Sequence, residues 1–89
     1  MAEPIDNYLI TSHAAFEMGR RRIEEGVVRQ VLSAPEQRHA VRPGRDMLQS
    51  RIALAGKTYL LRVFVDIDRD PAEVVTVYRT SRIAMYWRA

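Results

Sequence analysis

Tyr78 and Arg79 close a run, Glu73 to Ser81, that carries a phenol and a guanidinium out of a β-branched stretch just before two hydroxyls, Thr80 and Ser81. Val74, Val75, Thr76 and Val77 suit a pleated sheet on both faces, as an interior strand does, so the run reads as a central strand. Polar groups gathered where such a strand ends are a place for chemistry. If the core face takes Leu61, Val63, Val74, Thr76 and Tyr78, then Arg51, Arg62 and Arg79 share the other face. Three guanidiniums there would stabilise charge developing on phosphorus, with Gln49, His13 and Arg20 at the rim.

RNA cleavage without a metal needs little more, because the 2′-hydroxyl of the RNA is itself the nucleophile. The protein supplies a general base, a general acid and cationic stabilisation. His13 is the candidate acid or base, Arg62 and Arg79 stabilise the phosphate, and Tyr78 orients or donates. Each has a structural alternative. His13 can bond Glu17 or the sheet, and Tyr78 can be a strand tyrosine with a buried ring and a satisfied hydroxyl. His39, in a strand beside a turn, reads as a solvated or cross-strand residue. Arg20 and Arg21, with Arg51, are candidate nucleic-acid contacts, although the Arg20-Arg21-Arg22 run equally suits a solvated helix face.

Charge and composition bound these readings. Lys and Arg number 14 against 11 acidic residues, a net charge of +3 over 89 residues, and Lys57 is the single lysine. Arginine's planar fork suits phosphate and carboxylate, which favours an anionic partner. Absence of cysteine excludes disulfides, thiolate zinc sites and a cysteine nucleophile. Two isolated histidines without His-x-His or His-Glu-x-x-His spacing argue against a metal centre. Asp66, Asp68 and Asp70 lack the glycine and distal glutamate of a calcium loop. No cofactor is expected. No apolar run is long enough to span a bilayer and the N-terminus has no signal-like region, so the expectation is a cytoplasmic protein without membrane contact.

Positioning these residues requires a small α+β domain. Tyr8 to Thr11 is either an edge strand or an extended lead into a helix that begins near His13, capped by Thr11 or Ser12. Ala15, Phe16, Gly19 and Ile23 fall in one helical arc, beside a polar stripe of His13, Glu17 and Arg20. A second helix carries Val27, Val28, Val31 and Leu32 and stops at Pro35, so the two helices form a hairpin. Beyond Gln37 the period becomes two. Arg42-Pro43-Gly44-Arg45 fits a type II turn, and Leu48, Ser50, Ile52 and Leu54 share one face of the strand that follows. A Gly56-Lys57 loop leads to a strand with Tyr59, Leu61, Val63, Val65 and Ile67 towards the core. Ser81 caps a last turn in which Ile83, Tyr86 and Trp87 pack back on the body. The expected result is two N-terminal helices packed on a curved, mainly antiparallel four-stranded sheet, with a short C-terminal helix or tail.

Tyr8-Leu9-Ile10-Thr11-Ser12-His13-Ala14, Arg20-Arg21-Arg22-Ile23, Val31-Leu32-Ser33-Ala34-Pro35 and Val74-Val75-Thr76-Val77-Tyr78-Arg79-Thr80-Ser81 together resemble a family of small bacterial domains of unknown function. That family begins with a Thr-x-His-Ala helix, ends with a Val-Thr-Val-Tyr strand, and is similar to the RelE/ParE-like and BrnT-like toxins of toxin–antitoxin systems. The resemblance implies a single RelE/ParE-like domain over residues 1–89 that binds RNA or the ribosome, acts as a metal-free ribonuclease and is held by an antitoxin protein. The alternative is a non-catalytic protein-interaction module, as a homodimer, that docks a partner through its arginine face or its Ile83-Tyr86-Trp87 patch. A DNA-binding reading would need a recognition helix that the sequence does not offer.

Overall fold

The computed structural model describes residues 2–89. In chain order it comprises β1 (Tyr8–Ile10), α1 (Ser12–Arg21), α2 (Glu25–Ser33), β2 (Gln37–Arg42), β3 (Arg45–Leu54), β4 (Lys57–Asp66), β5 (Ala72–Thr80) and α3 (Ile83–Tyr86). The strands form one mixed sheet in the order β1-β5-β4-β3-β2. Five strands replace the expected four, because Tyr8 to Ile10 pairs in parallel with Ala72 to Val74. A three-residue strand is too short for hydrophobic alternation to separate it from an extended lead-in. The other pairings are antiparallel, and β5 is interior, as its composition requires.

Thr11 starts α1. Its hydroxyl accepts from the Ala14 amide at 3.1 Å and donates to the Val74 carbonyl at 3.0 Å, so one side chain caps the helix and ties it to β5. The helix buries Ala14 and Met18, not the expected Ala15, Phe16 and Gly19 arc, and Phe16 is 67% exposed. Ile23 misled that assignment. It is buried, but Arg22 has already left the helix with φ 55, so the direction of Ile23 does not follow the helical wheel.

Helix α2 buries Val28, Val31 and Leu32, as its spacing predicts. The main tertiary contacts of α1 are with β5, and those of α2 are with β4 and β3. Both helices therefore pack on the sheet, each against its own strands. Between them and the sheet lies one core, in which Leu48, Ile52, Leu61, Val63, Val65, Val74 and Val77 face the helices. Burial of each large side chain contributes about 1.5–3 kcal/mol against the entropy of ordering the chain.

Ile67, expected on that face, is 39% exposed because β4 ends at Asp66. The β3–β4 turn is Ala55-Gly56, one residue earlier than expected, with φ of 52 and 76, a pair of positive values that defines a type I′ hairpin. Gly44 lies in the β2–β3 turn at φ 85. A Cβ there would stand 2.7 Å from Asp68 Oδ2, so this position requires glycine.

Two register shifts decide which side chains reach the second face of the sheet. One lies in β2 between Ala40 and Arg42, and the other is where Val65 pairs with Val74 but Phe64 pairs with Thr76. The extra residue, Val75, inverts the alternation of β5 beyond it. Thr76 and Tyr78 therefore leave the expected core face. Arg79 moves to the helix side, opposite the core residue Leu61.

The C-terminal segment then crosses the second face. Its short helix has Arg82 at the N-cap without a side-chain cap, and Thr80, not Ser81, supplies the local hydroxyl by accepting from the Arg82 amide at 3.1 Å.

Candidate functional site

Arg62 stands at the centre of the second face. Cross-strand pairing sets Gln49 of β3 on one side of it and Tyr78 of β5 on the other. Its Nε donates to Gln49 Oε1 at 3.0 Å, and its Nη1 donates to the Tyr78 hydroxyl. The Tyr86 ring lies 4.3 Å from the guanidinium carbon, and Phe64 and Tyr78 lie at 5.5 and 5.6 Å. Three aromatic rings and two hydrogen bonds thus fix this cation in place. Among the described residues no carboxylate comes within ion-pair distance of it.

Gln49 is fully buried, which requires partners for its amide. Its Nε2 donates to Gln37 Oε1 at 2.7 Å and to the Tyr86 carbonyl at 3.1 Å, leaving Oε1 for Arg62. Gln37 in turn holds the tail, since its Oε1 accepts from the Arg88 amide at 3.2 Å and its Nε2 donates to the Arg88 carbonyl. One amide chain therefore links β2, β3, the arginine and the C-terminal segment.

Beside this network is a cleft of about 290 Å³ lined by His39, Met47, Arg62, Phe64 and Arg88, among others. His39 Nε2 is buried and has no hydrogen-bond partner. Burial first, and then the positive charges of Arg88 and Arg62, hold the imidazole below its usual pKa. It is kept neutral, a form that can accept a proton. A fixed guanidinium and a neutral imidazole in one cleft can bind an oxyanion and move a proton. Among the described residues no group of three or more His, Asp or Glu could hold a metal ion.

The residues assigned from sequence fall on both layers. Arg62 and Tyr78 meet directly on the second face. Arg51 shares that face, stacked on Trp87 at 4.3 Å, but its charge is paired with Glu36 at 2.7 Å. Glu36 is held below its usual carboxylate pKa, chiefly by its hydrogen bond from Arg51. His13 is exposed in the first turn of α1, in the helix layer. Arg79 is also on that side, donating to the carbonyls of Arg21 and Arg22 at 3.0 and 3.4 Å. The structure therefore does not bring His13 and Arg79 onto the face that carries Arg62 and Tyr78. Arg20 and Arg21 pair with Glu17, and Arg21 also donates to the Val77 carbonyl at 2.8 Å.

Residues 10–79 match the model of a domain of unknown function, DUF4258. The chain belongs to that family. No curated protein and no solved structure gives a match. The DUF4258 span contains His39, Gln49, Arg62 and Tyr78, whereas Tyr86, Trp87 and Arg88, which close over them, follow its end. Extending the two-residue Pro43-Gly44 turn without interruption would set His39 opposite Leu48, on the core face. The shift within β2 places it opposite Met47 instead. Sequence alternation alone therefore gave no signal for His39 as a site residue in this DUF4258 chain.

Proposed function

We propose that this protein is an RNA-binding domain of the toxin-like kind its sequence resembles, and that it cleaves RNA without a metal on the second face of its sheet. One observation carries the reading: His39, whose buried Nε2 has no hydrogen-bond partner, lines a cleft together with Arg62 and Arg88. Arg62 binds the scissile phosphate with the N–H groups not used by Gln49 and Tyr78. His39 takes the proton of the attacking 2′-hydroxyl as its oxygen bonds to phosphorus, the P–O5′ bond breaks with the leaving 5′-oxygen taking a proton from solvent water, and Tyr78, held by Arg62, orients the phosphate oxygens. The cation is fixed before the substrate arrives, which favours stabilisation of the transition state over simple binding. His39 thus takes the acid–base role that the sequence suggested for His13. In a toxin–antitoxin pair, the antitoxin would cover this face.

The test uses a fluorescent single-stranded oligoribonucleotide in excess chelator, with the 2′-deoxy oligonucleotide as control. Cleavage of the RNA alone, leaving a 2′,3′-cyclic phosphate and lost in His39→Ala, is the expected result. Equal cleavage by His39→Ala, or cleavage of the deoxy strand, overturns the assignment of His39 as base. Binding without cleavage removes the nuclease and keeps the RNA-binding domain.

A further inference from the structure

Four arginines line a second cleft on the helix side of the sheet, at the C-terminal end of α1: Arg20, Arg21, Arg22 and Arg79, around a volume of about 350 Å³. Their only acidic partner among the described residues is Glu17, which pairs with both Arg20 and Arg21. Glu24 and Glu25, next along the chain, form no ion pair with any of them. Four guanidiniums against one carboxylate leave a local excess of three positive charges.

Part of the cluster has a structural use. Arg79 satisfies the last carbonyls of α1 and packs over the Tyr59 ring at 5.3 Å, and cations at a helix C-terminus complement its dipole. Arg22 has no such use. It is exposed, its side chain makes no hydrogen bond or ion pair among the described residues, and its backbone is left-handed at φ 55. Glycine adopts that conformation freely, whereas an arginine is strained there by about 1–2 kcal/mol. The bonds made at that turn, from the Arg22 and Ile23 amides to the Gly19 and Met18 carbonyls, come from the backbone, so they would be made equally by glycine and do not use the arginine side chain.

We infer that this cleft is a binding site for the phosphate backbone of a polynucleotide, separate from the His39–Arg62 cleft. Guanidinium forks match phosphate oxygens in pairs, and a single carboxylate would neutralise only one of three free charges. The lining holds arginine alone, with no aromatic ring or amide to stack on or read a base, so the contact is with the backbone and independent of sequence. The C-terminal half of β5 lies between the two clefts: Tyr78 accepts from Arg62, which lines one, and Arg79 lines the other. A strand wrapped around that end of the sheet reaches both. Its identity as RNA rests on the function proposed above.

The test measures binding of labelled oligouridylate and oligoadenylate to the full chain over a series of salt concentrations. Arg22→Gly removes the charge and relieves the backbone, so it should melt no lower than the wild type. Arg22→Glu reverses the charge. Arg22→Gly should lower the slope of log affinity against log salt by about 0.7, equally for both oligonucleotides. Arg22→Glu should weaken binding on the order of tenfold at low salt. Unchanged affinity and slope in both variants overturns the site, as does a different effect on the two oligonucleotides. Polyglutamate binding as tightly as RNA of equal charge also overturns it, in favour of an acidic protein partner. Arg62→Leu separates the two clefts. Loss of binding in Arg62→Leu alone sinks this inference and leaves the other cleft standing, whereas loss in the Arg22 variants alone does the reverse. A wild type that binds neither oligonucleotide overturns both.

Discussion

Arg62 and Tyr78 face one another across the β4–β5 ladder, and the guanidinium donates to the phenol oxygen while its other edge donates to the buried Gln49. The pair exists because β5 carries one extra residue, Val75, between the segment paired to Val65 and the segment paired to Phe64. Without that shift Val77 would stand opposite Arg62, Tyr78 would pair with Leu61 and enter the core, and Arg79 would lie opposite Leu60. A single extra residue thus sets a phenol, in place of a valine, opposite the central cation. It also sends Arg79 to the helix side, where it completes the end of α1.

The buried Gln49 makes the Arg62 network a matter of stability as well as binding. Arg62→Leu leaves Gln49 Oε1 buried without its donor, which costs about 1–3 kcal/mol. The double variant Arg62→Leu/Gln49→Leu removes both polar groups and should recover at least half of that loss, as measured by urea unfolding. A double variant no more stable than the single would show that Gln49 finds another donor once Arg62 is gone.

Which parts of this arrangement were legible follows from how register errors propagate. Misplacing the β3–β4 turn by one residue changes the pairing by two, so Leu48, Ser50, Ile52 and Leu54, and Leu61, Val63 and Val65, keep their assigned face. The bulges at Val41 and Val75 change the register by one, so they invert His39, Tyr78 and Arg79. Neither bulge position carries a glycine or proline to mark it. The valine spacing of α2 was readable because burial and propensity agree there. In α1 they do not: Phe16, the largest apolar side chain of the helix, is exposed, while the small Ala14 packs against the sheet. The DUF4258 membership, seen first as a resemblance over the Thr-x-His-Ala and Val-Thr-Val-Tyr segments, depends on neither face assignment.

The depressed pKa of His39 fixes the sign of a pH effect. Its folded-state pKa lies below the unfolded value of about 6.5, so the unfolded chain binds the proton more readily. Stability should therefore be constant above that value and fall as pH drops through it towards the folded pKa. His39→Gln removes this titration. Between about pH 7.5 and 5 the wild type should lose more stability than the variant in urea titrations. Glu17, Glu36 and Asp66 are also held below their ordinary values, by hydrogen bonds from Arg20, Arg51 and Arg45. Their stabilisation is present above about 4.5 and is lost as pH falls further, so it does not overlap this window. Parallel wild-type and variant curves would rule out a buried neutral histidine.

Ala55 offers a gain in stability at a distance from either cleft. It occupies the first central position of a type I′ turn at φ 52, where a β-carbon is strained and asparagine is tolerated. Ala55→Asn creates the Asn-Gly pair favoured in such hairpins. It should stabilise the chain by about 0.5–1 kcal/mol, read as a rise in melting temperature with nucleic-acid binding unchanged. A lower melting temperature would mean that the turn does not hold its two positive φ values in solution.

Thr11 joins the two structural layers through one oxygen, and the two bonds it makes can be separated from its size. Its hydroxyl accepts from Ala14 and donates to the Val74 carbonyl, which also accepts from the Thr11 amide at 3.1 Å. Thr11→Val keeps the volume but removes both hydroxyl bonds. Val74 retains its backbone donor, so the main loss is the cap of α1, about 1–2 kcal/mol by thermal unfolding. Thr11→Ser keeps the oxygen and should cost less than half as much. Because α1 carries Arg20 and Arg21 in its last turn and Arg22 follows as its C-cap, fraying of its first turn need not disturb the arginine cleft at the other end. Thr11→Val should therefore lower the melting temperature while leaving the salt dependence of oligonucleotide binding as in the wild type. A changed salt slope in that variant would show that docking of α1 on β5, and not the arginines alone, shapes the cleft.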